Sequence, residues 1–163
     1  MKTLNQYIQE KLIINKDYSD NTIVVKSFEE LRKIIEDRYY KLGAGTEQNP
    51  IDFNDIDVSN LDSFYSNTYY RGLFSGTKFK YIDISDWDVS NVTNMEFMFY
   101  GCESFNQDIS GWDVSKVINM INMFYRCESF NQDISGWDVS KVQYKTWAFL
   151  DCPIKEEYKP KFK

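Results

Sequence analysis

Residues 102–117 read CESFNQDISGWDVSKV, and residues 127–142 read CESFNQDISGWDVSKV again. Sixteen residues recur unchanged at an offset of 25. Setting the chain in lines of that length produces columns. Ile84, Ile109 and Ile134 align, as do Trp87, Trp112 and Trp137, and Val89, Val114 and Val139. Phe99, Phe124 and Phe149 form another column, and Cys102, Cys127 and Cys152 another. A fixed period of this size marks a stacked repeat. One unit cannot bury its apolar positions alone and must bury them against the next, so identical residues stack. The expected fold is therefore an α/β repeat solenoid, a short stack of about four coils.

The pattern divides the chain. Residues 83–107, 108–132 and 133–152 are the clear units of a repeat region spanning 51–152. Residues 51–82 form a degenerate first unit, in which Ile56 takes the tryptophan column and six extra residues within SFYSNTYY interrupt the spacing. Lys145 and Pro153 fall in columns that are apolar or acidic earlier, which predicts that the stack stops there; proline also blunts an open edge. Residues 153–163 are a C-terminal tail. Residues 1–50 read as a helix–strand–helix N-terminal cap. Leu4, Tyr7, Ile8 and Leu12 have the spacing of one helix face, and Thr22–Lys26 reads as a strand. Ser27 and Glu30 make a capping box that opens a helix carrying Phe28, Leu31, Ile34, Ile35 and Leu42 inward and closing at Gly43.

Composition narrows the function. The 163 residues are 42% hydrophobic and 17% aromatic, enough for a core, and carry a formal charge of −6. An acidic chain lacks the basic patch of a nucleic-acid binder and is repelled by anionic membrane. Only the C-terminal KEEYKPKFK is lysine-dense. No run of 18 apolar residues appears, and the N-terminus does not read as a signal peptide, so a cytoplasmic location is expected. Three cysteines at repeat spacing are a poor disulfide framework and read as a column of small buried thiols.

The pattern FNQDISGWDVSKV…NM…MFYRC resembles the BspA-like leucine-rich repeat of bacteria, in its form with WDVS and MF-x-x-C signatures. The resemblance covers 83–152 well and 52–82 loosely. It implies a right-handed stack with a strand near Gln107–Ser110 and a helical turn near Thr93–Tyr100 in each unit. Such repeats occur in mycoplasma surface lipoproteins and in proteins of gut bacteria and their phages. Adhesion and protein binding are the roles suggested for them. A phage-encoded chain would then work in the virion or the host cytosol.

The chain contains no histidine, so neither a Ser-His nor a Cys-His nucleophile pair can form. It also lacks a phosphate-binding loop and paired metal-ligand cysteines. No catalytic residue, metal or cofactor is assigned, and the expected class is non-enzymatic. Two aspartate columns, Asp83, Asp108 and Asp133, and Asp88, Asp113 and Asp138, stack like charges about 5 Å apart. They are either a calcium ladder or acceptors for the backbone N–H groups of their own turns, beside Ser85, Ser90, Ser110 and Ser115. The second reading is favoured, because calcium-binding repeats are glycine-rich and this one is not. The tryptophan column is either an exposed aromatic platform or core, and its alternation with Val89 favours core. Tyr65, Tyr69 and Tyr70 in the insertion either form a contact loop or fold back on the first unit. Lys116 and Lys141 stand where Asn91 and Asn60 stand earlier.

The expectation is a protein-interaction module, monomeric, that presents an acidic repeat surface to a protein partner. Its candidate contact residues are Tyr65, Tyr69, Tyr70, Asp88, Asp113, Asp138, Lys116 and Lys141, carried on structural columns of Trp87, Trp112, Trp137, Phe99, Phe124, Phe149, Cys102, Cys127 and Cys152. The alternative is a structural or decorating part of a virion or cell surface.

Overall fold

Ser27 sets the first long element. Its hydroxyl accepts the Glu30 N–H, and the Glu30 carboxylate accepts the N–H of Lys26, so two donors at the helix start are satisfied. The helix, α1, runs Phe28–Leu42 and ends at Gly43, whose φ of 73° is open to glycine. The computed structural model describes residues 22–43, 45–46, 48–67 and 71–162. The helix proposed around Leu4–Leu12 lies outside these. Ahead of α1, β1 (Ile23–Val24) pairs in parallel with β3 (Ile56–Asp57). β2 (Ile51–Asp52) pairs in parallel with β6 (Ile82–Asp83), and β4 (Tyr65–Ser66) pairs antiparallel with β5 (Arg71–Gly72). One short 3-10 turn, Glu156–Tyr158, lies in the tail.

α1 buries Phe28, Leu31, Ile34 and Ile35 against the first repeat unit. Leu42, expected inward, is 62% exposed, because the helix outruns the surface it covers. Two arginines fasten the rest. The buried Arg38 donates to both carboxylate oxygens of Asp55, at 2.7 and 2.6 Å, and to the Asp52 carbonyl. Arg32 donates to the Leu73 carbonyl and to Glu36.

The expected α/β leucine-rich-repeat solenoid of about four coils is corrected by this structure, and so is its helix–strand–helix cap. Among the described residues there is one α-helix, and the strands are two residues long in three separate two-stranded sheets. Residues 107–110 form no strand. The Asp108 carboxylate accepts the Ser110 N–H and turns the chain before a ladder can extend. Residues 93–100 form no helical turn. Their bonds close i to i+3, Met98 to Met95 and Tyr100 to Phe97, and Phe97 sits in the left-handed region at φ 56°. That residue breaks any helix.

The repeats instead meet as layers of turns. Single parallel bridges link Ser63, Asn94, Asn119 and Tyr144 in succession. The core runs through the layers. Phe74, Phe99, Phe124 and Phe149 stack with ring centroids 5.3 to 5.5 Å apart, and Phe105 and Phe130 lie beside them. At Gly72 the backbone comes so close to the next layer that a Cβ would lie 2.1 Å from the Phe97 carbonyl oxygen, so this position excludes a side chain.

Candidate functional site

The aspartate columns are built by local turns. In every copy the Asp Oδ1 accepts the N–H of the serine two residues on. The distances are 3.1 Å for Asp83 and 3.0 Å for Asp88; 2.9 Å for Asp108 and 3.0 Å for Asp113; and 3.0 Å for both Asp133 and Asp138. The pattern extends to Asp57 and Ser59 in the degenerate unit. A short acceptor side chain followed two residues later by a free N–H is the Asx-turn arrangement, which Asp-x-Ser encodes directly.

These bonds set the charge state. The hydroxyl and N–H of Ser90 hold the Asp88 carboxyl below its ordinary value, and those of Ser115 do the same for Asp113. The Ser110 N–H and hydroxyl lower Asp108, and the Ser135 hydroxyl and N–H lower Asp133. At Asp83 partial burial opposes the shift, and its bonds to Ser85 and Asn54 outweigh it. Neighbouring layers repel one another, Asp113 raising Asp88, but the hydrogen bonds are the larger effect. All these carboxylates are therefore ionised near neutrality. Lys116 offsets part of the charge. Its ammonium donates to Asn91 Oδ1 at 2.8 Å, one layer back, and lowers both Asp88 and Asp113. Lys141, its counterpart one layer on, is exposed. Among the described residues no group of three or more acidic or cysteine side chains is arranged to hold a metal ion.

The other candidates separate into core and surface. Trp87, Trp112 and Trp137 are buried, and each indole N–H donates to a carbonyl of the layer before it: Phe53, Ile84 and Ile109 at 2.9, 3.2 and 3.2 Å. The column is packing with a satisfied polar edge, and offers no platform. Cys102 and Cys127 are free, buried thiols donating to the Phe74 and Phe99 carbonyls. Burial pushes the Cys102 thiol up to about 12 and raises Cys127 too. Cys152, in the last layer, is only partly buried, and burial raises it as well.

Tyr65 folds back. Its ring stacks on Phe97 at 6.0 Å. Tyr69 and Tyr70 lie outside the described residues. Tyr65 heads a feature that the repeat alignment did not single out, a half-buried aromatic strip that continues through Phe97, Tyr100 and Tyr125, with Tyr100 and Tyr125 stacked at 5.1 Å. The 25-residue offset of Tyr100 and Tyr125 was the signal available for it. The Arg38–Asp55 pair was missed as well, because nothing in a helical pattern marks an arginine as buried.

One shallow cleft of about 290 Å3 lies beside α1, lined by Phe28, Glu29, Arg32, Lys33, Glu36 and Arg71. Its charges are largely spent on each other, Glu36 taking both Arg32 and Arg71. No helix among the described residues is long and apolar enough to cross a membrane.

No curated protein and no solved structure matches the chain. A family model described as "Mycoplasma protein of unknown function, DUF285" matches residues 46–157. That match covers every repeat unit and well over half of the chain, and the chain belongs to this family.

Proposed function

We propose that the protein is a non-enzymatic, monomeric protein-binding module, acting in the cytoplasm of the cell that holds it, whose contact surface is the pair of aspartate columns. The observation that carries the reading is the fixation of these carboxylates. Each is locked by its own Asx turn and repeated in register from layer to layer, and the turns hold the Asp88 and Asp113 carboxyls below their ordinary value. A surface that is charged, regular and already ordered loses little side-chain entropy on binding. It steers and selects a partner with a complementary basic row. The resemblance to BspA-like proteins, for which protein binding is a suggested role, points the same way. The net charge of −6 speaks against nucleic acid as that partner.

The test is capture from bacterial lysate with the tagged chain and with a variant carrying Asp88→Asn, Asp113→Asn and Asp138→Asn. Asparagine keeps the Oδ1 acceptor and so keeps the turn, while the charge goes. A stoichiometric protein that is retained by the parent, released by salt and lost by the variant is the expected result. Retention that is unchanged in the variant would remove the aspartates from the contact. Self-association of the parent without a partner would favour the alternative, a structural part of a larger assembly.

A further inference from the structure

On one stretch Ile118 and Asn119 donate back to the Thr93 carbonyl, and Gln143 and Tyr144 back to that of Ile118, but along residues 72–76, 95–101 and 120–126 the backbone bonds between layers all run forward. Alternate N–H groups of each layer donate to carbonyls of the layer after it: Phe74 to Met98, Phe99 to Met123, and Phe124 to Ala148, at 2.8 to 2.9 Å. Gly76, Gly101 and Arg126 donate in the same manner to Tyr100, Tyr125 and Leu150, and Phe97 and Asn122 to Ile121 and Thr146. This face of the stack is therefore polar, with its carbonyls turned toward the preceding layer and its N–H groups toward the following one. At the opposite end of this face the carbonyl of Leu73, the counterpart of Met98, accepts from the guanidinium of Arg32 on α1. In the last layer Trp147, Phe149 and Asp151 occupy the donor positions, and Trp147 and Asp151 have the same left-handed φ, 56° and 57°, as their counterparts Asn122 and Arg126. Their N–H groups meet no acceptor among the described residues.

Two further observations concern the same end. Of the six large apolar side chains exposed among the described residues, Tyr144, Trp147 and Leu150 lie on this one layer, with Trp147 61% exposed. The charge reverses there as well. Residues 141–163 hold six lysines against three acidic residues in a chain of net charge −6. The tail brings its charge onto the layer, with Phe162 against Phe149 and the Lys159 ammonium 6.0 Å from the Phe149 ring.

We propose that this last layer is a docking edge for an extended acidic peptide segment of a partner protein. The segment adds to the stack where the next layer would lie. Its main-chain carbonyls accept the N–H groups of Trp147, Phe149 and Asp151, its apolar side chains cover Trp147 and Tyr144, and its carboxylates face the tail lysines. Strand addition of this kind takes affinity from main-chain bonds and specificity from alternate side chains. Successive N–H groups set by left-handed residues favour a negative occupant. Head-to-tail docking of a second copy would have to displace Arg32 from the Leu73 carbonyl. The edge is separate from the aspartate columns, so its test does not depend on their role.

The probe is a blocked hexapeptide of alternating valine and glutamate, titrated into the full 15N-labelled chain, with a valine–lysine hexapeptide as control. The acidic peptide is expected to shift the amides of Trp147, Phe149 and Asp151 and the fluorescence of Trp147. Trp147→Ala should weaken it by about 5-fold or more, the factor that corresponds to about 1 kcal/mol. Lys159→Glu should also weaken it, and Trp147 is a surface residue whose truncation leaves the core intact. Equal binding of the lysine peptide would overturn the proposal. So would undisturbed amides at about 1 mM peptide, where only binding weaker than about 4 kcal/mol escapes notice. Dimerisation by sedimentation equilibrium, with these same amides protected, would make a second copy the occupant and refute the peptide.

Discussion

Truncating the central ring of the phenylalanine column, Phe124→Ala, measures how far the core depends on stacking between layers. Phe124 is fully buried, with ring centroids of Phe130 at 4.3 Å, Phe99 at 5.3 Å and Phe149 at 5.5 Å. Truncating a buried phenylalanine costs about 3–5 kcal/mol, and the value rises when the site cannot collapse. Collapse is hindered here. The Phe124 N–H is held by the Ala148 carbonyl at 2.9 Å and its carbonyl by the Cys127 N–H at 3.1 Å, so the layers keep their spacing and the hole persists. Three stacked partners are lost as well, each adding about 0.5–1.5 kcal/mol beyond area alone. The expected loss is therefore at the upper end, about 4–5 kcal/mol, about a quarter or more of an ordinary domain's stability. Urea unfolding followed by circular dichroism reads it directly. With a slope of about 2 kcal/mol/M the midpoint falls by about 2 M. Phe124→Leu, which keeps most of the volume, should lose less than about 1.5 kcal/mol. A loss under about 1 kcal/mol for Phe124→Ala, with an unchanged slope, would show that the column does not hold the layers together.

Acid should weaken the fold through the aspartates. Asp88, Asp108, Asp113 and Asp133 have folded values below 3.8, so the unfolded chain takes up protons first as pH falls. Stability from them is full above that value and is lost below it. Urea midpoints measured from pH 7 to pH 3 should fall at the acid end, and fall less when the four are asparagine; a parent midpoint that rises on acidification would contradict this. Asp55→Asn should cost about 1–3 kcal/mol, because it weakens the charge-assisted pair that satisfies the buried Arg38, and a thermal melt unaffected by it would show that Arg38 does not rely on Asp55. Cys102 and Cys127 should resist iodoacetamide in the native protein while Cys152 labels first, as mass spectrometry would show. Equal labelling of all three would mean that the layers open together.

The contents of the core were legible in the sequence, whereas the path of the backbone was not. Identical residues at a 25-residue offset fall in columns whatever conformation joins them, so Trp112 and Phe124 could be assigned neighbours from spacing alone. A strand at 107–110 and a helical turn at 93–100 required more, namely that each segment follow one regular conformation. Local chemistry prevented it. Asp108 pulls the Ser110 N–H into a turn, and Phe97 and Asn122, which share one column, adopt left-handed φ although neither is glycine. A phenylalanine in that region gives no warning in sequence, since its conformation is imposed by the layers it joins. The same residues give one face of the stack its direction. With left-handed residues at fixed places in each layer, alternate N–H groups turn toward the following layer and carbonyls toward the preceding one. On this face, one end of the stack then presents carbonyls and the other N–H groups, whereas beside it Ile118 and Gln143 donate backward. The chain answers the carbonyls with Arg32 on α1, and leaves the N–H groups to Trp147, Phe149 and Asp151 in a lysine-rich tail. Lys145 and Pro153 mark where the repeat columns change. The backbone polarity explains why the layer there leaves a row of donors, and why an acceptor-rich partner is the chemistry that would complete it.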